Sequence, residues 1–377
     1  MARIATLEGQ PALISLFEED KGRILHYRGK DYYVVKDNED FEAAFQMYGT
    51  YLITTYVTQL VPIYKMVPEY SLWNENINHW DVSNVHSFNG FFFQCSSYDQ
   101  PTQWNTISAI SMDYMFYNCK LLNSRIQLNT YNVQSMDHMF LGCWNFNQPL
   151  YFDTSQCRSM WAMFSQCYNF NQSIEHWNTE RVEDMESMFM NCRKFNQPLN
   201  RWNTKKVMNM SCMFEGCRNF NQPLNEWNTS NVLYMKHMFS ECSLFNGDIQ
   251  YWDVSNVTMM NGMFFECISF NQPLNKWKIS PSCSLVYTFE GCVSFTQPLP
   301  FHVLTKYIED NYDFKPEYKP DIREKDCPLT LEQVYRMEKN KHPLAQSLCK
   351  TIEQELLQIT LSPDRVFSWY FGDEITL

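Results

Sequence analysis

A chain of 377 residues with 45% hydrophobic and 16% aromatic content carries enough apolar material for a sizeable core, which excludes a disordered polymer. The formal net charge of −12 argues against a non-specific nucleic-acid binder, which needs a basic surface facing phosphates, and against docking on anionic lipid. Only 11 glycines are present, so a collagen-like or glycine-linker architecture is excluded as well.

Met1 to Gln10 lacks the apolar run of a signal peptide. The most apolar stretch, Leu52 to Val67, is broken by Thr54, Thr55, Gln59 and Lys65, and is too short and polar to cross a bilayer. The expectation is a soluble, cytoplasmic protein without membrane insertion, whose 14 cysteines stay as thiols in a reducing compartment. Residues 1–69 read as an N-terminal α/β cap. Ile24 to Val35 predicts a hairpin turning at Arg28-Gly29-Lys30-Asp31, and Asp40 to Tyr48 a short helix.

From residue 70 to 300 the chain repeats itself. Trp stands at 80, 104, 177, 202, 227, 252 and 277, with Leu128 and Phe152 filling the gaps, at a step of 24 residues for the first three intervals and 25 for the rest. Fifteen residues after each of these positions comes Cys: 95, 119, 143, 167, 192, 217, 242, 267 and 292. Phe precedes that Cys by three residues, usually after Met, as in Met213-Phe214. A second Phe often follows the Cys by three, opening Phe-Asn-Gln-Pro-Leu, as in Phe220 to Leu224. A unit this short cannot bury its own apolar face, so the units must stack into one continuous core. With coils about 4.8 Å apart, nine to ten of them make a rod roughly 45 Å long. Only the segment from the second Phe to the next Trp changes length, so it takes up the slack, and its Pro argues against a central strand there. A short strand is expected at Val-x-x-Met, as in Val207 to Met210, followed by a helical turn at Met-Phe-x-x-Cys. The offsets of three equally suit a longer helix with a Thr or Ser cap, and periodicity does not choose between them.

The run Phe-Asn-Gln-Pro-Leu-Asn-x-Trp-Asn-Thr-Ser-Asn-Val-x-x-Met-x-x-Met-Phe-x-x-Cys resembles the BspA-like surface-protein repeat, a leucine-rich-repeat relative of bacterial surface lipoproteins, protists and large DNA viruses. The Val, Met, Met-Phe, Cys spacing is also similar to the Val, Ile, Ala-Phe, Cys spacing of the treponemal-type leucine-rich repeat. The resemblance covers about Trp73 to Leu299. It implies an α/β repeat fold, a leucine-rich-repeat-like right-handed solenoid, and a binding or surface role with no catalytic residues to carry over. The bacterial members carry a signal peptide, lipobox or wall anchor that is not seen here. The departure favours the intracellular versions, such as those of large DNA viruses acting in a host cytoplasm. A virion component and an exported adhesin are the alternatives.

Residues 301–377 read as a linker and a helical C-terminal cap or docking segment. Pro298 to Pro328 is Pro- and charge-rich and predicts a surface linker. Thr330 to Gln333 forms a capping box that opens a helix to about Lys341, and a second helix runs from Pro343 to about Thr360 on the stripe Leu344, Leu348, Ile352, Leu356 and Ile359.

Chemistry is thin. No Cys-x-x-Cys, Walker loop, Gly-x-Gly-x-x-Gly or His-Glu-x-x-His occurs, so neither cofactor nor metal is expected. The Cys column reads as a buried thiol ladder and the Asn column (147, 171, 196, 221, 246 and 271) as a ladder of amides bonding backbone between coils. Met210, Met213 and their equivalents read as core. Glu183, Asp184 and Glu186 have the residue types of a glycosidase acid–base pair, but a solvated face explains them as well. The reading is therefore not an enzyme. What varies from coil to coil is the surface: Glu180, Arg181, Glu183 and Asp184, then Lys205 and Lys206, then Tyr234, Lys236 and His237. An acidic band beside a basic band with an exposed aromatic predicts a surface for another protein.

Overall fold

The structure, a computed structural model, describes four N-terminal strands as backbone and then residues 62–311, apart from 67, 68, 79 and 81. The strands form two antiparallel hairpins, β1 (Arg3–Leu7) with β2 (Gln10–Ile14) and β3 (Ile24–Tyr27) with β4 (Lys30–Tyr33). In the second, Tyr27 pairs Lys30 across the turn the sequence predicts. The helix expected at Asp40–Tyr48 and those expected between 330 and 360 lie outside the described residues.

The repeat region is a stack of coils. One isolated parallel bridge per coil links Ser87, Ser111, Ser135, Ser159, Asp184, Asn209, Tyr234, Met259 and Ser284 in a single column. The strand expected at Val207–Met210 thus shrinks to one paired residue, Asn209. The expected helical turn after it does not form either. From Met210 to Cys217 the backbone alternates between two kinds of hydrogen bond. The amides of Met210, Cys212, Phe214 and Gly216 donate to the next coil, at Tyr234, Lys236, Met238 and Ser240. The amides between them, Met213, Glu215 and Cys217, donate three residues back, to Met210, Cys212 and Phe214. The segment is a chain of overlapping β-turns whose every second N–H is spent on its neighbour. A helix is excluded because two residues per coil sit in the left-handed region, here Cys212 at φ 55° and Gly216 at φ 70°. All the positive-φ residues of the described chain fall in these two columns, ten and fourteen residues after the Trp position.

The variable segment behaves as a length buffer. In the shorter coils it contains a short parallel pair, β5 (Thr102–Trp104) with β6 (Ile126–Leu128). This pair runs up to and includes the Trp position, C-terminal to Pro101 in β5, rather than lying at Val-x-x-Met. In the longer coils the extra residue closes a turn, Trp202 N to Leu199 O at 3.0 Å. That turn has a consequence for the next coil. It presents the Leu-position carbonyl to the indole stacked above: Trp227 Nε1 donates to Leu199 O at 2.9 Å and Trp202 Nε1 to Ile174 O at 3.2 Å. Below Trp177 the preceding coil is a short one, with Leu150 only two residues from Phe152, and the buried Trp177 Nε1 has no partner among the described residues. Trp202→Phe should therefore cost more stability than Trp177→Phe by about 1 kcal/mol, the worth of one satisfied hydrogen bond. Equal losses in urea unfolding would refute this account.

The interior is columnar. Phe92, Phe116, Phe140, Phe164, Phe189, Phe214, Phe239, Phe264 and Phe289 stack coil on coil with ring centroids 5.1–5.9 Å apart. The second Phe of each unit joins it, for example Phe220 at 4.2 Å from Phe214. The Cys column is a thiol ladder: Cys217 Sγ donates to Phe189 O at 2.9 Å and Cys242 Sγ to Phe214 O at 2.8 Å. Burial pushes these thiols up, to about 12 for Cys95 and Cys292, so they are inert at neutral pH. The Asn ladder runs beside it. Asn171 Oδ1 accepts both Asn196 N at 2.9 Å and Gln197 Nε2 at 3.0 Å, and Asn196 Oδ1 repeats this on Asn221 and Gln222. A Thr ladder completes the set, with Thr204 Oγ1 on Asn228 O at 2.9 Å.

Where the sequence predicts a linker, the chain forms α2 (Phe301–Asn311), which follows a single-turn helix, α1 (Ile63–Met66), at the other end of the stack. Val303 and Tyr307 are buried, the latter edge-on to Phe289. The side chains of Asp310 and Asn311 stand in for a further coil, accepting Leu285 N at 2.7 Å and Tyr287 N at 2.6 Å.

Candidate functional site

The surface residues singled out by sequence lie three to ten residues after the Trp position, and the coil stacking places them on one strip. Asp184, Asn209, Tyr234 and Met259 are consecutive rungs of the bridge column. Lys205 and Lys206 follow Glu180 and Arg181 one coil on, and Lys236 O accepts Cys212 N. Glu180, Arg181, Lys205, Lys206, Tyr234 and Lys236 are exposed, while Glu183, Asp184 and His237 are half-buried.

Each end of the strip has its own electrostatics. In the coil of Trp177 three of the acids are engaged. Glu183 pairs Arg158 at 3.8 Å, Asp184 Oδ1 accepts Glu186 N at 2.8 Å, and Glu186 Oε2 accepts Asn209 Nδ2 at 2.6 Å. Burial raises the Asp184 carboxyl above the usual range, opposed by that backbone bond. Arg181 is also occupied, by Gln156 Oε1 at 2.6 Å. No acid stands at positions three to ten of the coils of Trp202, Trp227 and Trp252. Among the described residues no ion pair involves Lys205, Lys206 or Lys236.

Two features escaped the sequence reading. Met208 and Met259, 45% and 48% exposed, flank Tyr234 on the basic part of the strip. Met was read as core because the columns at 210 and 213 are core, but 208 stands two residues off that column, and that offset is the legible signal. The other is an aromatic group on the earlier coils. His138 is nine-tenths buried, stacked 4.5 Å from Tyr114 and edge-on to Trp161 at 4.3 Å, with neither ring nitrogen bonded among the described residues. Its burial lowers the imidazole, with Asp113 acting against it. Nearby, Lys120 lies over Trp144, Trp144 over Tyr168, and Arg193 on the far face of that pairing at 4.6 Å from the Tyr168 ring, so each ring face meets a neighbouring coil.

Among the described residues no group of three His, Cys, Asp or Glu is placed to hold a metal ion, and no helix is long and apolar enough to cross a membrane.

These features define a tandem-repeat protein, an array of short stacked coils compatible with a repeat solenoid. The chain belongs to the family described as "Mycoplasma protein of unknown function, DUF285", whose model matches residues 38–150, 126–224 and 198–302. No curated protein and no solved structure matches it.

Proposed function

We propose that the chain is a non-enzymatic, protein-binding solenoid scaffold, of the leucine-rich-repeat-like, right-handed, BspA-like type. On the strength of that resemblance, we assign it to a large DNA virus acting in the host cytoplasm. The observation that carries the binding reading is the division of labour within each coil. The recurring polar groups, Asn, Thr, Cys and the backbone between Met210 and Cys217, are consumed by the adjacent coils or by turns within the coil. The side chains left facing solvent are those that differ from unit to unit, and on the strip they include Glu180, Arg181, Lys205, Lys206, Met208, Tyr234, Lys236 and Met259. Charge and an aromatic anchor on a pre-organised scaffold suit recognition of another protein.

The test is affinity capture from the native source lysate with the full chain and with its Lys205→Glu/Lys206→Glu/Lys236→Glu variant. A captured protein that is lost from the variant is expected. Capture by both forms alike would remove the surface assignment. Polysaccharide hydrolysis that disappears in Glu183→Gln would replace the scaffold reading with an enzymatic one.

A further inference from the structure

The basic part of the strip has a chemistry of its own, and it narrows the partner. At positions three to ten of three consecutive coils it carries Lys205, Lys206 and Lys236 and no carboxylate, with Glu215 beside Cys212 just outside that span, in a chain whose net charge is −12. Interspersed with the lysines are exposed apolar side chains, Met208 at 45%, Tyr234 at 39% and Met259 at 48%. They are held side by side: Met208 O accepts Leu233 N at 2.8 Å and Tyr234 N at 3.3 Å, and Tyr234 bridges Met259. Among the described methionines, most are fully buried in the columns, so two that project into solvent on one strip are out of pattern. Methionine supplies an adaptable apolar contact that moulds to varied side chains. Among the described residues these lysines make no ion pair, and such lysines attract an anionic partner over about 8 Å at physiological salt. The coil before this region supplies Glu180, Glu183 and Glu186, which repel an acidic ligand and mark where its seat ends.

We infer that the strip over the coils of Trp202, Trp227 and Trp252 seats an acidic protein segment bearing apolar side chains, its carboxylates on Lys205, Lys206 and Lys236 and its apolar groups on Met208, Tyr234 and Met259. The inference rests on the protein-binding reading and assigns the class of partner. Nucleic acid is the weaker occupant, since phosphate chains gain from cation density and arginine, while here one lysine pair and a third lysine a coil away share the strip with methionine and an otherwise acidic molecule surrounds them.

The experiment is fluorescence anisotropy on the full chain with a fluorescein-labelled 14-residue peptide alternating Glu with Leu and Phe. Saturable binding is expected, weakening as salt rises. Lys205→Glu/Lys206→Glu/Lys236→Glu and, separately, Met208→Ser/Tyr234→Ser/Met259→Ser should each weaken it at least tenfold. Glu180→Gln should leave it equal or tighter. Circular dichroism melts of each variant, expected to match the parent, separate lost binding from lost fold. The inference is overturned if a Glu-only peptide of equal charge binds as well, if the apolar triple variant binds normally, or if a single-stranded oligonucleotide displaces the peptide. It is overturned too if the peptide does not bind. If the chain still captures a protein from lysate in that case, the scaffold reading stands while this partner class falls.

Discussion

Phe214→Ala is expected to lower stability by about 3–5 kcal/mol, the range for emptying a buried aromatic site. Phe214 is fully buried and meets four rings: Phe189 at 5.7 Å and Phe239 at 5.6 Å in the adjacent coils, Phe220 at 4.2 Å and Trp227 at 6.1 Å. Its backbone carbonyl accepts two bonds, from Cys217 N and from the Cys242 thiol one coil on. The void therefore opens at a seam between coils. In a stacked array, stability is the sum of unit terms and nearest-neighbour interfaces. Weakening one interface should split a single unfolding transition into two, one for the coils before the seam and one for those after it. Guanidinium unfolding followed by tryptophan fluorescence reads both effects. Tyr251→Ala, at a side chain 71% exposed, is the control and should fall within about 0.5 kcal/mol of the parent. A Phe214→Ala loss below about 1 kcal/mol would mean that the ring column is not what holds the coils together.

Residues that recur unchanged declare their role in the sequence, and those that vary do not. Cys217 and Asn196 recur at fixed offsets because the same carbonyl recurs in the coil below and the same amide in the coil above, so their ladders are readable from spacing alone. The turns were harder. Val207, Met210, Met213 and Cys217 are spaced to suit a helix, but i to i+3 turns repeat on almost the same period. The two differ in where the alternate N–H groups go, and that is a property of the neighbouring coil. The left-handed columns were less legible still, because their occupants at the first position run through Tyr114, His138, Ala162, Ser187, Cys212 and His237. The signal there is exclusion. None of the positive-φ residues is β-branched or proline, and Gly90, Gly142, Gly216, Gly262 and Gly291 all fall in the two columns. For the candidate strip the charges could be read, since charge stands out against a polar surface. The exposure of Met208 and Met259 was harder to read, since the same residue type fills the core two positions after the first and one after the second, and only the offset from that column marks them.

Those left-handed columns carry the second large effect. Gly216→Val is expected to destabilise the protein by about 3 kcal/mol, combining about 1–2 for a left-handed residue with a Cβ and a further 1–3 for overpacking. At φ 70° a β-branched side chain has no relaxed backbone state, and an added Cβ would sit 2.5 Å from the Asn191 Oδ1 of the coil below. The site cannot relieve this by turning the backbone, because Gly216 N donates to Ser240 O at 2.8 Å while Cys217 N holds Phe214 O at 2.9 Å. Gly216→Asn separates strain from space. The column already accepts Gln166 followed by Asn191, and Glu241 followed by Glu266, in successive coils at positive φ. Asparagine also tolerates the left-handed region better than other residues. The Asn variant should therefore lose about 1 kcal/mol, and the order Gly, Asn, Val should hold in urea midpoints. If valine were tolerated as well as asparagine, the coil would have to run through this corner in another conformation. The alternating pattern of bonds from Met210 to Cys217 would then be wrong, and a helical corner would return as the better description.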